Sequence, residues 1–410
     1  MFFVPITFNA RTSIPLDHIV SEIRANLLPY ARIYALIVIT VGGLWPFYKK
    51  TWNKTPVSIV FSILKLLGIV VAFLVYFSIG PAWMMAKNMG PFLYNSLVVP
   101  VGLIVPIGAV FLAFLVGYGL LEFTGVIMRP VMRPIFRTPG RSAIDALASF
   151  VGSYSLALVI TNRVYRSGKY TNREAAIIAT GFSTVSATFM IIVARTLGLM
   201  EIWNTYFWST LVVTFLVTAI TVRIWPLAKK SDSYFDGVGQ PEPEFKGNIF
   251  KNAWAEGLAA AGKVPGLVQS VQGTLKEGFQ MAMAILPSIM SIGLIGLVLA
   301  QYTPVFDILG YIFYPFTALF QVPEAMLAAK AASMSIAEMF LPALLVAGAP
   351  MVTKFVIGIT CVSSILFFSA SIPCIMATDI EISVTELVVI WLERTILSII
   401  LAASLAMILF

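Results

Sequence analysis

The chain has 410 residues, 59% of them hydrophobic and only 11% charged, with 27 basic and 19 acidic side chains for a net charge of +8. Soluble globular domains carry about a quarter charged residues, so a water-soluble fold is excluded. One histidine and two cysteines exclude zinc sites, His-based triads and a disulfide scaffold; no Gly-rich nucleotide loop or nucleophile–base pair is visible, so neither enzyme chemistry nor a cofactor is expected.

Residues 1–6 are apolar, too short to span and lack the basic flank of a signal peptide. They read either as an interfacial leader or as the tail of a further span. Residues 13–26, with His18 among them, read as an amphipathic segment on the outer surface. Stretches long enough to cross the hydrocarbon core, about 20 residues, follow at 28–48, 57–79, 97–121, 174–197, 203–226, 279–301, 351–376 and 385–409. Two others, 142–166 and 325–347, are interrupted. The first is cut by Gly152-Ser153-Tyr154-Ser155, the second by Lys330, Ser333, Ser335 and Glu338.

Charge decides how the interrupted stretches run. Read as re-entrant hairpins, they gather the basic clusters at 49–54, 129–141, 163–173 and 223–276 on one face, eighteen residues in all. The other face receives seven: Arg11, Arg24, Arg32, Lys87, Arg195, Lys330 and Lys354. That asymmetry is the positive-inside pattern, so the net charge belongs to membrane topology and not to nucleic-acid binding. A crossing at 142–166 would put the arginines on its two sides on opposite faces.

The expected fold is all-α, a polytopic membrane protein with about eight transmembrane helices and two re-entrant hairpins. Residues 1–96 hold the amphipathic segment and two spans, and 97–227 a first repeat. Residues 228–276 hold a polar linker (228–249) and an interfacial helix over 250–276, broken at Pro265. Residues 277–410 form a second repeat. Arg129-Pro130 and Tyr314-Pro315, Phe136 and Phe320, and Pro139 and Pro323 correspond at offsets of 184–185. The same order of span, Pro-containing amphipathic segment, hairpin, small-residue span and terminal span recurs. Each copy makes three crossings, an odd number, so the second is inverted, as in secondary transporters.

In such a design the hairpin tips and the interrupted-looking spans beside them hold the solute, because non-helical backbone within lipid persists only where protein or solute satisfies it. The substrate-binding candidates are Ser153, Tyr154, Ser155 and Asn162 in the first half. Ser333, Ser335, Glu338, Ser363 and Ser364 are their counterparts in the second. Glu338 is an intramembrane charge, functional by default, with a structural ion pair to Lys330 as the alternative reading. Asp145 stands at i,i+4 from Arg141, the spacing of a local pair. Glu393, Arg394 and Lys65 lie within spans and have no assigned role.

The stretch 152–188 resembles the nucleoside-recognition or Gate domain shared by concentrative nucleoside transporters and the ferrous-iron permease. The whole chain is similar to YjiH-type bacterial membrane proteins with two such domains. The transporters' Gly-Gln-Thr-Glu, Thr-x-x-Glu and Thr-Gly-Gly-Phe-Ala-Thr correspond to three runs here: Gly152-Ser153-Tyr154-Ser155, Thr171-Asn172-Arg173-Glu174 and Thr180-Gly181-Phe182-Ser183-Thr184. Their base-binding Gln and Glu are replaced by Ser153 and Ser155. Of the ribose-contacting Asn-Glu-Phe, only the glutamate survives, as Glu338 within Ala337-Glu338-Met339. The resemblance implies an elevator-like carrier of a small polar, nucleoside-like solute, coupled to Na+ or H+. It also implies a sodium site near Gly152, Ser183 and Thr184, and assembly as a homo-oligomer. A non-transporting scaffold that keeps the Gate fold is the second reading.

Overall fold

The computed structural model describes residues 6–8, 11–13, 15–54, 56–116, 119–151, 154–239, 241, 248–262, 266–376 and 378–410. The leader at 1–5 and the first hairpin tip, Gly152 and Ser153, lie outside the described residues. Helix dominates, because in lipid each backbone amide must find its partner within its own segment. The exception is an antiparallel hairpin near the start, β1 (Ile6–Phe8) paired with β2 (Arg11–Ser13).

In chain order, α1 (Pro15–Tyr48) kinks at Leu27, beside Pro29, and α2 (Pro56–Phe77) follows. The 13–26 segment is therefore no separate surface element from Pro15 onward, and His18 is buried. The short α3 (Gly90–Phe92) passes through a π-helical turn, Leu93–Val98, into α4 (Val99–Val116). Next come α5 (Leu120–Val131), α6 (Ser142–Val151), α7 (Tyr154–Arg166), α8 (Asn172–Gly181), α9 (Ala187–Leu197) and α10 (Trp203–Thr221). After the linker stand α11 (Ile249–Ala261), α12 (Leu267–Tyr302) and α13 (Val305–Leu319). The rest are α14 (Ala325–Met334), α15 (Leu341–Leu345), α16 (Met351–Ser363), α17 (Ser371–Met376) and α18 (Val384–Leu409).

Among the described residues six helices are long and apolar enough to cross a membrane, within α1, α2, the α3–α4 run, α10, α12 and α18. The chain is a multi-pass membrane protein. The other two expected spans, 174–197 and 351–376, are each two helices with an unwound stretch between them. The interfacial helix expected over 250–276 also divides. α11 ends at Ala261 and packs against α5, where Trp254 sits edge-on to Phe123 at 6.4 Å. Residues 267–276 instead begin the long α12.

The chain forms two compact units. The first comprises Met1–Ala113, Leu267–Thr303 and Phe368–Ala370, the second Phe114–Gly266, Pro304–Phe367 and Ser371–Phe410. In the first, α1, α2 and α12 pack together through glycines. Pro287 within α12 has no N–H for the Met283 carbonyl one turn earlier. α1 closes over that freed carbonyl at Gly42, where an added Cβ would run into the Met283 oxygen, and α2 does the same over the Pro287 carbonyl at Gly68. G42A should therefore push α1 off α12, lowering stability by about 1–3 kcal/mol, read as an earlier thermal transition of the solubilised protein.

In the second unit α5, the α6–α7 pair, α8 and α9, then α10 are followed, after the linker and α11, by α13, the α14–α15 pair, α16 and α17, then α18. The leading spans of the two expected repeats, 97–121 and 279–301, fall mostly in the first unit. α6 packs on α7, and α14 on α15, as hairpins. Thr171 and Glu174 start α8 with a reciprocal capping box, and Ser383 with Glu386 starts α18 the same way. The linker is pinned where it leaves α10: the Asn172 and Arg173 amides donate to the Ser233 and Ser231 carbonyls at 2.8 and 2.9 Å.

Candidate functional site

The site is built on the two broken helices of the second unit. α8 ends at Gly181, and the hydroxyl-rich run that follows competes for backbone hydrogen bonds and cannot continue the helix. The Thr184 amide turns back to the Phe182 carbonyl at 2.8 Å, and the Ser186 side chain then caps α9. The second break follows the same plan. α16 ends at Ser363, and the Leu366 amide turns back to the Ser364 carbonyl at 2.7 Å, with Ile365 held at φ 63°. A β-branched residue at positive φ is strained and persists only where its surroundings fix it. Here Ser371 accepts the Phe367 amide at 2.8 Å.

Breaking a helix leaves carbonyls at the C-terminal end of its first half. Arg394, fully buried on α18, serves both breaks. Its Nε and Nη2 donate to the Ser363 carbonyl at 3.0 and 2.8 Å, and its Nη1 donates to the Thr218 hydroxyl at 3.0 Å. Thr218, on α10, shares its own proton between the carbonyls of Gly181 and Thr214. One guanidinium thus meets the negative ends of α16, directly, and of α8, through a hydroxyl. Sequence reading assigned Arg394 no role. The one signal that points to its surroundings is the Thr210, Thr214, Thr218 ladder on α10.

Both hairpins reach these breaks. From α6, the Ser149 hydroxyl donates to the Thr184 carbonyl at 2.5 Å. From the start of α7, the buried Tyr154 ring meets Phe367 edge-on at 5.9 Å. In the second hairpin, Glu338 is 2% exposed and caps α15, accepting the Phe340 and Leu341 amides at 2.6 and 3.2 Å. Phe340 lies edge-on to Phe189 of α9 at 5.9 Å. Glu338 is near enough for its charge to act on both Tyr154 and Cys361. Tyr154, the 182–186 turn and Glu338 therefore belong to one neighbourhood. The first break also carries a buried hydroxyl with no hydrogen-bond partner, that of Ser183.

The other sequence candidates sit as follows. Ser333 donates to the Lys330 and Phe306 carbonyls, and Ser335 donates to the Ala332 carbonyl while accepting the Trp391 indole N–H at 2.9 Å. Ser363 bonds Ser398 at 2.6 Å, and Ser364 donates to the Cys361 carbonyl. Thr184 is buried and donates to the Val185 carbonyl. Asn162 stands two turns beyond the first tip and exchanges hydrogen bonds with Asp379 at 3.1 and 2.9 Å. Ser155 lies in the first turn of α7.

Two expected pairings are redrawn. Lys330 pairs with Asp307 of α13 at 2.8 Å and not with Glu338. Its side chain leaves α14 on the face that packs against α13. Asp145 is held by the Thr161 and Tyr170 hydroxyls at 2.6 and 2.7 Å, which ties α6 to α7 and to the loop before α8. Y170F would leave a buried carboxylate oxygen without its donor. It should cost about 1–3 kcal/mol, seen as a lower thermal midpoint at unchanged oligomeric size.

Comparison with known proteins adds three findings. The Gate family model, described as nucleoside recognition, matches residues 98–200, the stretch that holds the first hairpin and first broken helix. An uncharacterized protein of Alkalihalophilus pseudofirmus is 33% identical over 429 residues, covering 97% of this chain and 89% of that one. Solved structures of CNTnw variants align along nearly the whole chain. A double variant in an outward-facing state gives a TM-score of 0.47 at 14% identity, over 96% of this chain and 97% of that one. A single variant in an intermediate state gives 0.48 at 15%, over the same shares.

Proposed function

We infer that this chain, which belongs to the same family as the uncharacterized Alkalihalophilus pseudofirmus protein and contains a Gate nucleoside-recognition segment, is a secondary active transporter of a small polar, nucleoside-like solute. The observation that carries the reading is the pair of broken helices, each beside a re-entrant hairpin. Into their neighbourhood the chain brings Tyr154, an unpartnered buried Ser183 hydroxyl and the carboxylate of Glu338. Irregular backbone and a charge at membrane depth are costly, and a solute site accounts for both.

In this proposal Glu338 and Tyr154 contact the solute, with Ser153 and Ser155 supplying hydroxyls from the first tip. Ser183 and Thr184 are the place for Na+ if sodium is the coupling ion, with Gly152 as the third residue the family resemblance implies, and Glu338 is the proton carrier if H+ is. The hairpins and broken helices move as an elevator, so that the site opens to each side in turn. The protein works in the bacterial inner membrane as a homo-oligomer, by the charge split and the family resemblance, and performs no catalysis. The test is uptake into proteoliposomes under an imposed Na+ or H+ gradient, across nucleosides, bases, amino acids and organic acids. Saturable, gradient-dependent accumulation of a nucleoside-like solute is the expected result. Folded protein that accumulates nothing from the panel overturns the reading.

A further inference from the structure

We propose that the first unit carries a phosphate-binding site at Arg32, with Arg24 beside it, which takes the phosphate of an anionic lipid headgroup or free phosphate. The Arg32 guanidinium carbon lies 5.2 Å from the Tyr76 ring centroid and 5.9 Å from that of Tyr94. The two rings meet edge-on at 6.2 Å, and the Tyr94 hydroxyl donates to the Arg32 carbonyl at 2.6 Å, so the cage is itself fixed. A guanidinium lodged between two aromatic rings loses side-chain freedom while its fork of N–H donors stays available for hydrogen bonding. Yet the Arg32 Nε is buried without a hydrogen-bond partner, and among the described residues no carboxylate pairs with Arg32.

Arg24 stands eight residues earlier on the same helix and donates from Nη2 to the Asn95 carbonyl at 3.3 Å. Tyr94 and Asn95 are neighbours in the π-helical turn Leu93–Val98, so both guanidiniums converge on one turn of chain. Such turns are frequent at functional sites. Arg24 and Arg32 are two of the seven basic residues that the charge split assigns to the sparse face, so the positive-inside pattern does not account for them. A phosphate, which can present two oxygens to two N–H groups of one guanidinium, satisfies such a fork bidentately.

The experiment is thermal unfolding of the delipidated full-length protein in neutral detergent, titrated separately with phosphatidylglycerol and with inorganic phosphate. Saturable stabilisation is expected, with an affinity weakened about tenfold or more in R32Q and unchanged in K49Q, at the other end of α1. Stabilisation by the lipid alone assigns the site to a headgroup, and stabilisation by inorganic phosphate that competes with the lipid assigns it to the free anion. If R32Q fails to fold, R32K keeps the charge without the fork and should bind several-fold more weakly. Wild-type protein that neither ligand stabilises, or Arg32 variants that bind like wild type, overturn the proposal. None of these readouts depends on transport.

Discussion

R394M should lower the unfolding free energy by about 2–4 kcal/mol. Met fills much of the space of the arginine, so a cavity contributes little. The charge weighs both ways. Removing a buried guanidinium relieves its desolvation, and a well-packed apolar replacement of a buried ion can be neutral or stabilising. What tips the balance here is the Ser363 carbonyl. In a continuous helix it would accept the Phe367 amide, but that amide is already given to Ser371 at 2.8 Å. Without Arg394 this fully buried oxygen loses both its donors, and the α16 dipole loses its counter-charge. R394K keeps the charge but cannot place two parallel N–H groups on one oxygen, so its loss should be smaller than that of R394M. Thermal unfolding in detergent gives the order wild type, R394K, R394M. A Met variant as stable as wild type would mean that desolvation outweighs the hydrogen bonds.

E338Q should separate folding from solute handling. A glutamine carbonyl oxygen can still accept the Phe340 and Leu341 amides, so the cap on α15 and the expression level should survive. The negative charge would not survive. A charge-assisted hydrogen bond to solute is worth about 1.5–3 kcal/mol, which sets the expected loss at roughly 10–150-fold in apparent affinity. Uptake at fixed, sub-saturating solute should fall by that factor, while E338A should lose the cap as well and unfold earlier. Equal uptake by E338Q and wild type would confine Glu338 to capping.

Much of this fold is legible in the sequence, because hydrophobic length and basic clusters are statements about the bilayer, and a bilayer has few solutions. The helix pairs within 142–166 and 325–347 are foreshadowed by interruptions in two apolar stretches, with charge placement favouring a chain that turns back. The breaks beside them are announced by hydroxyl runs such as 180–188. What sequence does not carry is direction. Ser333 and Ser335 look like a solute-facing tip, yet their hydroxyls are engaged by a carbonyl of α13 and by Trp391. Lys330 is near Glu338 in sequence, but its side chain is taken by Asp307, 23 residues back. Arg394 is hardest of all, since its partners are a backbone carbonyl 31 residues away and a hydroxyl 176 away. A carbonyl leaves no mark on residue type.

That single guanidinium also makes the two helix ends answer to one another. The Ser363 carbonyl and the Thr218 hydroxyl share one side chain, and Thr218 in turn donates to the Gly181 carbonyl. A displacement at the end of α16 is thereby transmitted to the end of α8, so the two breaks form one cooperative element and not two independent ones.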